Sequence, residues 1–237
     1  MKKFLLSALV AAAVGVSAFQ MATPGAVTTK QTVSSAKAEN LQSYKVSMEE
    51  SKITWIGRKV GGEHTGNIKL ATGSMLFDRF NLRGGTFIMD MTTITCNDLQ
   101  GGSNERLVKH LRSDDFFSVE KNPTASFAIT NLAPKQNAKA GTANYTVTGT
   151  LTIKGISNEI SFPALVIVKK GVATTKATLK FDRTKWDIKF RSGNFFENLG
   201  DKAIQDDVEL QLELVAKEQV AAKKDKKADK KEKVARS

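Results

Sequence analysis

The chain is 237 residues long and carries a formal net charge of +12 at neutral pH, with one cysteine and two histidines. Much of that charge sits at the ends: residues 217–237 hold nine Lys or Arg against four Asp or Glu, Lys2 and Lys3 add two more positive charges, and +5 is left for the rest. A body this mildly basic argues against a nucleic-acid-binding domain. One thiol excludes an internal disulfide, and two histidines without HxH, HExxH or CxxC spacing leave a zinc site nothing but scattered ligands.

In chain order, the first element is a leader. Lys2 and Lys3 precede an apolar run from Phe4 to Val14 and the small residues Val16-Ser17-Ala18, the pattern of a secretory signal peptide over 1–18 with cleavage near Ala18. The mature protein is then expected to be periplasmic or secreted. No cysteine lies near that site, so a lipid-anchored N-terminus is not expected. Residues 19–40, rich in Ala, Thr, Ser and Lys, read as a flexible linker. Residues 41–216 form one domain long enough to bury a substantial core. The lysine-rich segment 217–237 reads as a disordered, solvated tail; a functional version would be weak contact with anionic surfaces, at most about 1 kcal/mol per basic residue.

The domain alternates. Phe87, Met89 and Met91 share one face of GGTFIMDM, Tyr145, Val147, Leu151 and Ile153 one face of NYTVTGTLTIK, and Val208, Leu210, Leu212 and Leu214 one face of DDVELQLELVAK. Such period-two patterning predicts half-buried strands, near 42–48, 51–60, 66–78, 82–94, 124–132, 144–154, 157–169, 172–182 and 204–216. The alternation stops between Asn97 and Glu120, where Leu107, Val108 and Leu111 recur at helical spacing; a helix over about 104–113 is predicted, capped by Ser103 or Asn104. A second irregular stretch, RSGNFFENLGDKA, precedes the last strand. The fold class is therefore all-β, an antiparallel barrel of about eight strands with one inserted helix, with a sandwich as the competing architecture.

Catalytic signals are weak. His110 and Asp114 could share a helical face, but a polar, solvated face explains them as well. Cys96 ends a strand with nothing evident to activate it, and GGSN at 101–104 is more simply a turn than an anion site. Binding signals are stronger. Phe116, Phe117, Phe127, Phe195 and Phe196 crowd in or beside the irregular segments, either as a satellite core pinning a flap or as an apolar mouth. Flexible methionines at 89 and 91 suit a pocket that must fit a variable apolar ligand, and equally suit a plain core.

Several linked motifs carry a resemblance. HLRSDDFFSVEKNPTASF, YTVTGTLTIKGISNEISF, the R-x-x-W-D-I segment Arg183–Ile188 and LGDKAIQDDVEL, with SKITWIGRKVGGEHTGNIKLATGSMLF and FIMDMTTI before them, resemble the YceI family of exported lipid-binding proteins in the right order over 42–216. The resemblance implies a lipocalin-like barrel with a hydrophobic cavity, a bound polyisoprenoid lipid such as an isoprenoid quinone or prenyl phosphate, no catalytic residues and no catalytic cofactor. It implies an apolar lipid as partner; no nucleic-acid partner is expected, and the chain is expected to be a monomer or homodimer. Position and alternation nominate Trp55, Phe77, Phe87, Met89, Met91, Leu107, Leu111, Phe116, Phe117, Phe127 and Ile129 as ligand-facing, with Arg58, Lys59, His64 or Arg112 near a polar head. His110 and the neighbouring acids are expected on the outer side of the flap. The alternative is an envelope interaction protein with a solid barrel, acting through its surface and basic tail.

Overall fold

A computed structural model of the chain describes residues 41–219; the expected leader, the linker and most of the lysine-rich tail lie outside the described residues. Nine strands form one sheet: β1 (Gln42–Val46), β2 (Lys52–Lys59), β3 (Gly62–Asp78), β4 (Asn81–Asp90), β5 (Thr124–Pro134), β6 (Tyr145–Ile153), β7 (Ile156–Lys169), β8 (Val172–Asp182) and β9 (Ile204–Glu218). All neighbours run antiparallel, and the sheet closes through β3–β4 pairing, with Lys69 opposite Asp90 and Asp78 opposite Asn81. Closure rules out the sandwich. β1 and β2 are both short and share one place in the ring: β2 sets Ile53 between Ile68 and Leu212, whereas β1 sets Tyr44 between Met75 and Glu218. Nine strands thus fill eight positions, and the long strands β3 and β9 span both.

Alternation places side chains on the wall. In β6 the inward positions Tyr145, Val147, Gly149, Leu151 and Ile153 are all buried while the threonines between them are half-buried. Gly149 breaks the apolar series for a spatial reason: a Cβ there would stand 2.4 Å from the ring of Phe127, which lies across it. Gly66 is stricter still. A Cβ would meet the Thr95 carbonyl oxygen at 1.8 Å and the Trp55 indole at 2.6 Å, because the chain after β4 turns back over this residue.

That return is where the sequence expectation is corrected. β4 does not run on to residue 94 but ends at Asp90, whose carboxylate accepts from Thr92 N (2.9 Å) and so caps a 3-10 turn over Met91–Thr93. The next residues pair with the start of β3, through Thr95 N to Asn67 O (3.0 Å) and Asn97 N to Thr65 O (2.8 Å). The helix, α1, spans Gly101–Arg112 and not 104–113, and its N-cap is Gln100. Asn104 is not the cap: its amide donates to the Cys96 and Leu99 carbonyls at 2.8 and 2.9 Å, tying the helix to the segment before it. Gly101, at φ +52°, turns the chain into the helix in a conformation that other residues rarely adopt.

Connections alternate between the two ends of the barrel. One end carries the β1 segment and the β3–β4, β5–β6 and β7–β8 turns. The other carries the long insertion 91–123 with α1 and the irregular segment 183–203, and is the flap end.

Candidate ligand cavity

Inside the barrel lies a cavity of about 170 Å³ whose wall presents apolar surface only. Every strand but β1 contributes to it. Trp55, Phe87, Met89 and Met91 form one wall, Phe127 and Ile129 the adjoining one, and Leu111, Phe116 and Phe117 the flap end. Two nominated residues do not line it. Phe77 is fully buried at the opposite end, edge-on to Tyr44 with ring centroids 4.8 Å apart, where it packs under β1. Leu107 packs against the core from α1 without bordering the cavity. Small inward residues that alternation did not single out, Ala125 and Ala164, leave the room.

The flap is built from the residues of HLRSDDFF. Helix α1 stops at Arg112, Ser118 takes a left-handed conformation (φ +46°), and Phe117 N donates back to Leu111 O (3.1 Å). This turn drives Phe116 and Phe117 inward. Asp114 and Asp115 are exposed, as expected from sequence, whereas His110, with about a third of its side chain exposed, also packs inward. Its ring lies edge-on to both Phe116 (4.9 Å) and Phe190 (4.6 Å), its Nε2 is 2.9 Å from Asp115 Oδ2, and Asp114 instead pairs with Lys121 and Ser118. The histidine therefore fastens α1 to the 183–203 segment. Phe195 and Phe196 neither pin the flap nor line the cavity; both are about half exposed.

The 183–203 segment is held by a buried guanidinium. Arg183, 2 % exposed, donates to the carbonyls of Gln205 (3.1 Å), Ile188 (2.7 Å) and Ile204 (3.0 Å) and to Asp206 Oδ1 (3.1 Å). Asp206 also accepts from Ser192 (2.8 Å) and Asn194 (2.7 Å). Burial pushes the Arg183 guanidinium down, and Asp206 and Asp182 pull it back up. Trp186, three residues on, is buried under Phe181 with its indole N–H on Leu151 O (3.1 Å). The R-x-x-W-D-I motif is thus an anchor for one side of the flap end.

Three of the four side chains expected near a polar head already have protein partners. Arg58 bonds Glu63 and Glu209 (3.1 and 3.2 Å), His64 donates to Asp98 (2.7 Å), and Arg112 donates to the Thr92 carbonyl. Lys59 is exposed. Asp98 gathers His64, Thr65 N (2.8 Å) and the Cys96 thiol (3.3 Å). Burial raises the Asp98 carboxyl, but these donors outweigh it and hold it at about 2; burial also pushes the Cys96 thiol up, so that buried cysteine is a poor nucleophile. A depressed carboxylate stabilises the fold above its unfolded value and loses that contribution as pH falls from about 4 to about 2. Asp98→Asn is expected to cost about 1 kcal/mol at pH 7, after allowance for solvent screening, and to flatten the acid limb over that window. Urea unfolding at pH 7, 4 and 2.5 measures it; an unchanged acid limb would contradict the assignment.

One polar atom in the wall has no partner. Thr175 on β8 is 8 % exposed and its Oγ1 is buried without a hydrogen bond, an arrangement that costs about 1–3 kcal/mol. Among the described residues there is no cluster of three or more metal-ligating side chains, and no helix long and apolar enough to cross a membrane.

An antiparallel barrel closed on itself, with an apolar interior and a helical flap over one end, is the architecture of the lipocalin-like proteins. The chain belongs to the YceI-like domain family, whose model matches residues 44–216. A UPF0312 protein of Pseudomonas aeruginosa is 36% identical over 103 residues, 40% of this chain and 50% of the relative; one of Photorhabdus laumondii is 30% identical over 148 residues, 62% and 71%. The chain spans about half the length of the first of these curated relatives. Among solved structures, Burkholderia cenocepacia BcnA superposes with a TM-score of 0.56 at 22% identity, covering 72% of this chain and 98% of the other. A polyisoprenoid binding domain from Saccharophagus degradans, implicated in plant cell wall breakdown, gives 0.53 at 12%, covering 74% and 98%. At these identities the likeness is one of fold.

Proposed function

We propose that this protein is a non-enzymatic carrier or reservoir for a polyisoprenoid or similar long apolar lipid, held inside the barrel for transport, storage or stress protection. The observation that carries the reading is the apolar cavity of about 170 Å³ in the centre of the core. Cavities of that size lined by hydrocarbon stay dry and accept apolar guests, and each methylene moved into one gains roughly 0.8 kcal/mol before binding costs. A long chain requires more room than the ligand-free barrel holds. Met89 and Met91, unbranched and flexible, are the side chains best suited to swing aside for it. A structural neighbour described as polyisoprenoid-binding supports the same class of ligand.

On this reading the leader expected over 1–18 would send the protein to the periplasm or outside the cell. The lysine-rich tail adds at most weak attraction to anionic surfaces. Native mass spectrometry of protein purified from its own host, followed by organic extraction, tests the reading. A co-purifying prenyl lipid in place of a clean apo mass is expected; an apo mass together with no uptake of prenyl chains on titration would overturn it and leave a barrel acting through its surface.

A further inference from the structure

Thr175, whose hydroxyl has no hydrogen-bond partner, lines the cavity, with the hydroxyl itself buried behind the apolar wall. Along β8 the buried inward positions are Ala173, Thr175, Leu179 and Phe181, so Thr175 brings the only hydroxyl to this face of the strand. It lies between Val166 on β7 and Leu214 on β9, both apolar and both lining the cavity. The position is toward the β1 end, far along the strand from the flap. Valine has the same shape and would leave nothing unsatisfied. Threonine keeps a donor and acceptor there, and one χ1 step exchanges its methyl for its hydroxyl at the cavity surface.

We infer that Thr175 anchors the neutral polar end of the ligand, which enters the barrel head first and trails its apolar chain toward the flap. The inference rests on the carrier reading and narrows its ligand class to chains ending in a hydroxyl, carbonyl or amide. A phosphate does not fit this anchor. Burying an anion requires a nearby cation, and among the described residues the one cation lining the cavity, Arg183, stands at the flap end with Asp206 and three carbonyls already on it.

The test compares wild type, Thr175→Val and Thr175→Ser in titrations with farnesol, the saturated hydrocarbon of the same carbon skeleton delivered from cyclodextrin, and farnesyl phosphate, followed by tryptophan fluorescence. The valine variant is expected to bind farnesol about tenfold more weakly, the equivalent of one hydrogen bond. Its affinity for the hydrocarbon and the phosphate should be unchanged, and serine should retain most of the farnesol affinity. The ligand-free valine variant should melt no lower than wild type, since its lost hydroxyl has no internal partner. Undiminished farnesol binding by the valine variant, an equal loss for all three ligands, or a lower melting temperature overturns the anchor while leaving the carrier reading in place. Failure of wild type to bind any of the three overturns the carrier reading itself.

Discussion

Replacing Arg183 with methionine is expected to cost about 3 kcal/mol of stability or more, among the largest single-residue effects in the molecule. Arg183 satisfies three backbone carbonyls and one carboxylate from a site only 2 % exposed. Methionine fills similar space but leaves all four acceptors without their donor, and Asp206 without its counter-charge. Lysine should not rescue it, because one ammonium cannot reach acceptors arranged around a planar fork. Urea unfolding gives the energy, and hydrogen exchange gives the place. Amides of the 187–203 segment should lose protection first, since the guanidinium joins the start of that segment to the start of β9. A loss below about 1 kcal/mol would mean that water replaces the guanidinium at little cost.

The second large effect concerns binding. Ala164→Phe, on β7 between Tyr145 and Ala177, sends a phenyl ring from a site 1 % exposed into the cavity it borders. Overpacking of this kind costs about 1–3 kcal/mol, which a barrel of this size tolerates, whereas a ligand loses its space altogether. Prenyl-chain affinity is expected to fall at least about a hundredfold, the equivalent of displacing some three or four buried methylenes. Ala125→Phe blocks the same cavity nearer the flap and should act alike. Folding is checked by circular dichroism and melting; retained binding by two folded, blocked variants would move the ligand to another surface. Together with the Thr175 series, these variants separate where the chain lies from where its polar end is held.

The flap end explains why the opening motif of the insertion is so crowded. HLRSDDFF places His110 between Phe116 and Phe190 while Asp115 holds its outer nitrogen. The same few residues thus turn the chain, close the cavity end and fasten two irregular segments together. No proton transfer is needed to account for any of them.

Strand positions were legible from residues 42 to 216 because inward and outward side chains alternate over most of each strand, with breaks at irregularities in β3 and β5, and every predicted strand exists within a few residues of its expected ends. Two strand ends were misjudged by four residues, the start of β3, at Gly62, and the end of β4, which falls where Asp90 folds back on Thr92, a local hydrogen bond that alternation does not encode. The helix start was misplaced because Asn104 carries the residue type of a cap but spends its amide on the carbonyls of Cys96 and Leu99. Phe77 was nominated correctly as inward-facing and incorrectly as cavity-lining. A period of two tells which face a residue takes, not how far along the barrel axis it lies.

By itself, then, the sequence determined the all-β class, the places of the strands along the chain, the inserted helix and an interior made of hydrocarbon, since these follow from patterning and turn residues repeated over short distances. Only the tertiary structure decided that β1 and β2 share one strand position, that alanines at 125 and 164 leave a cavity between the larger side chains, and that His110 packs between Phe116 and Phe190. It alone revealed Thr175 as a hydroxyl without a partner. Those features depend on which residues from distant strands meet across the barrel, and that is fixed by closure of the sheet between β3 and β4.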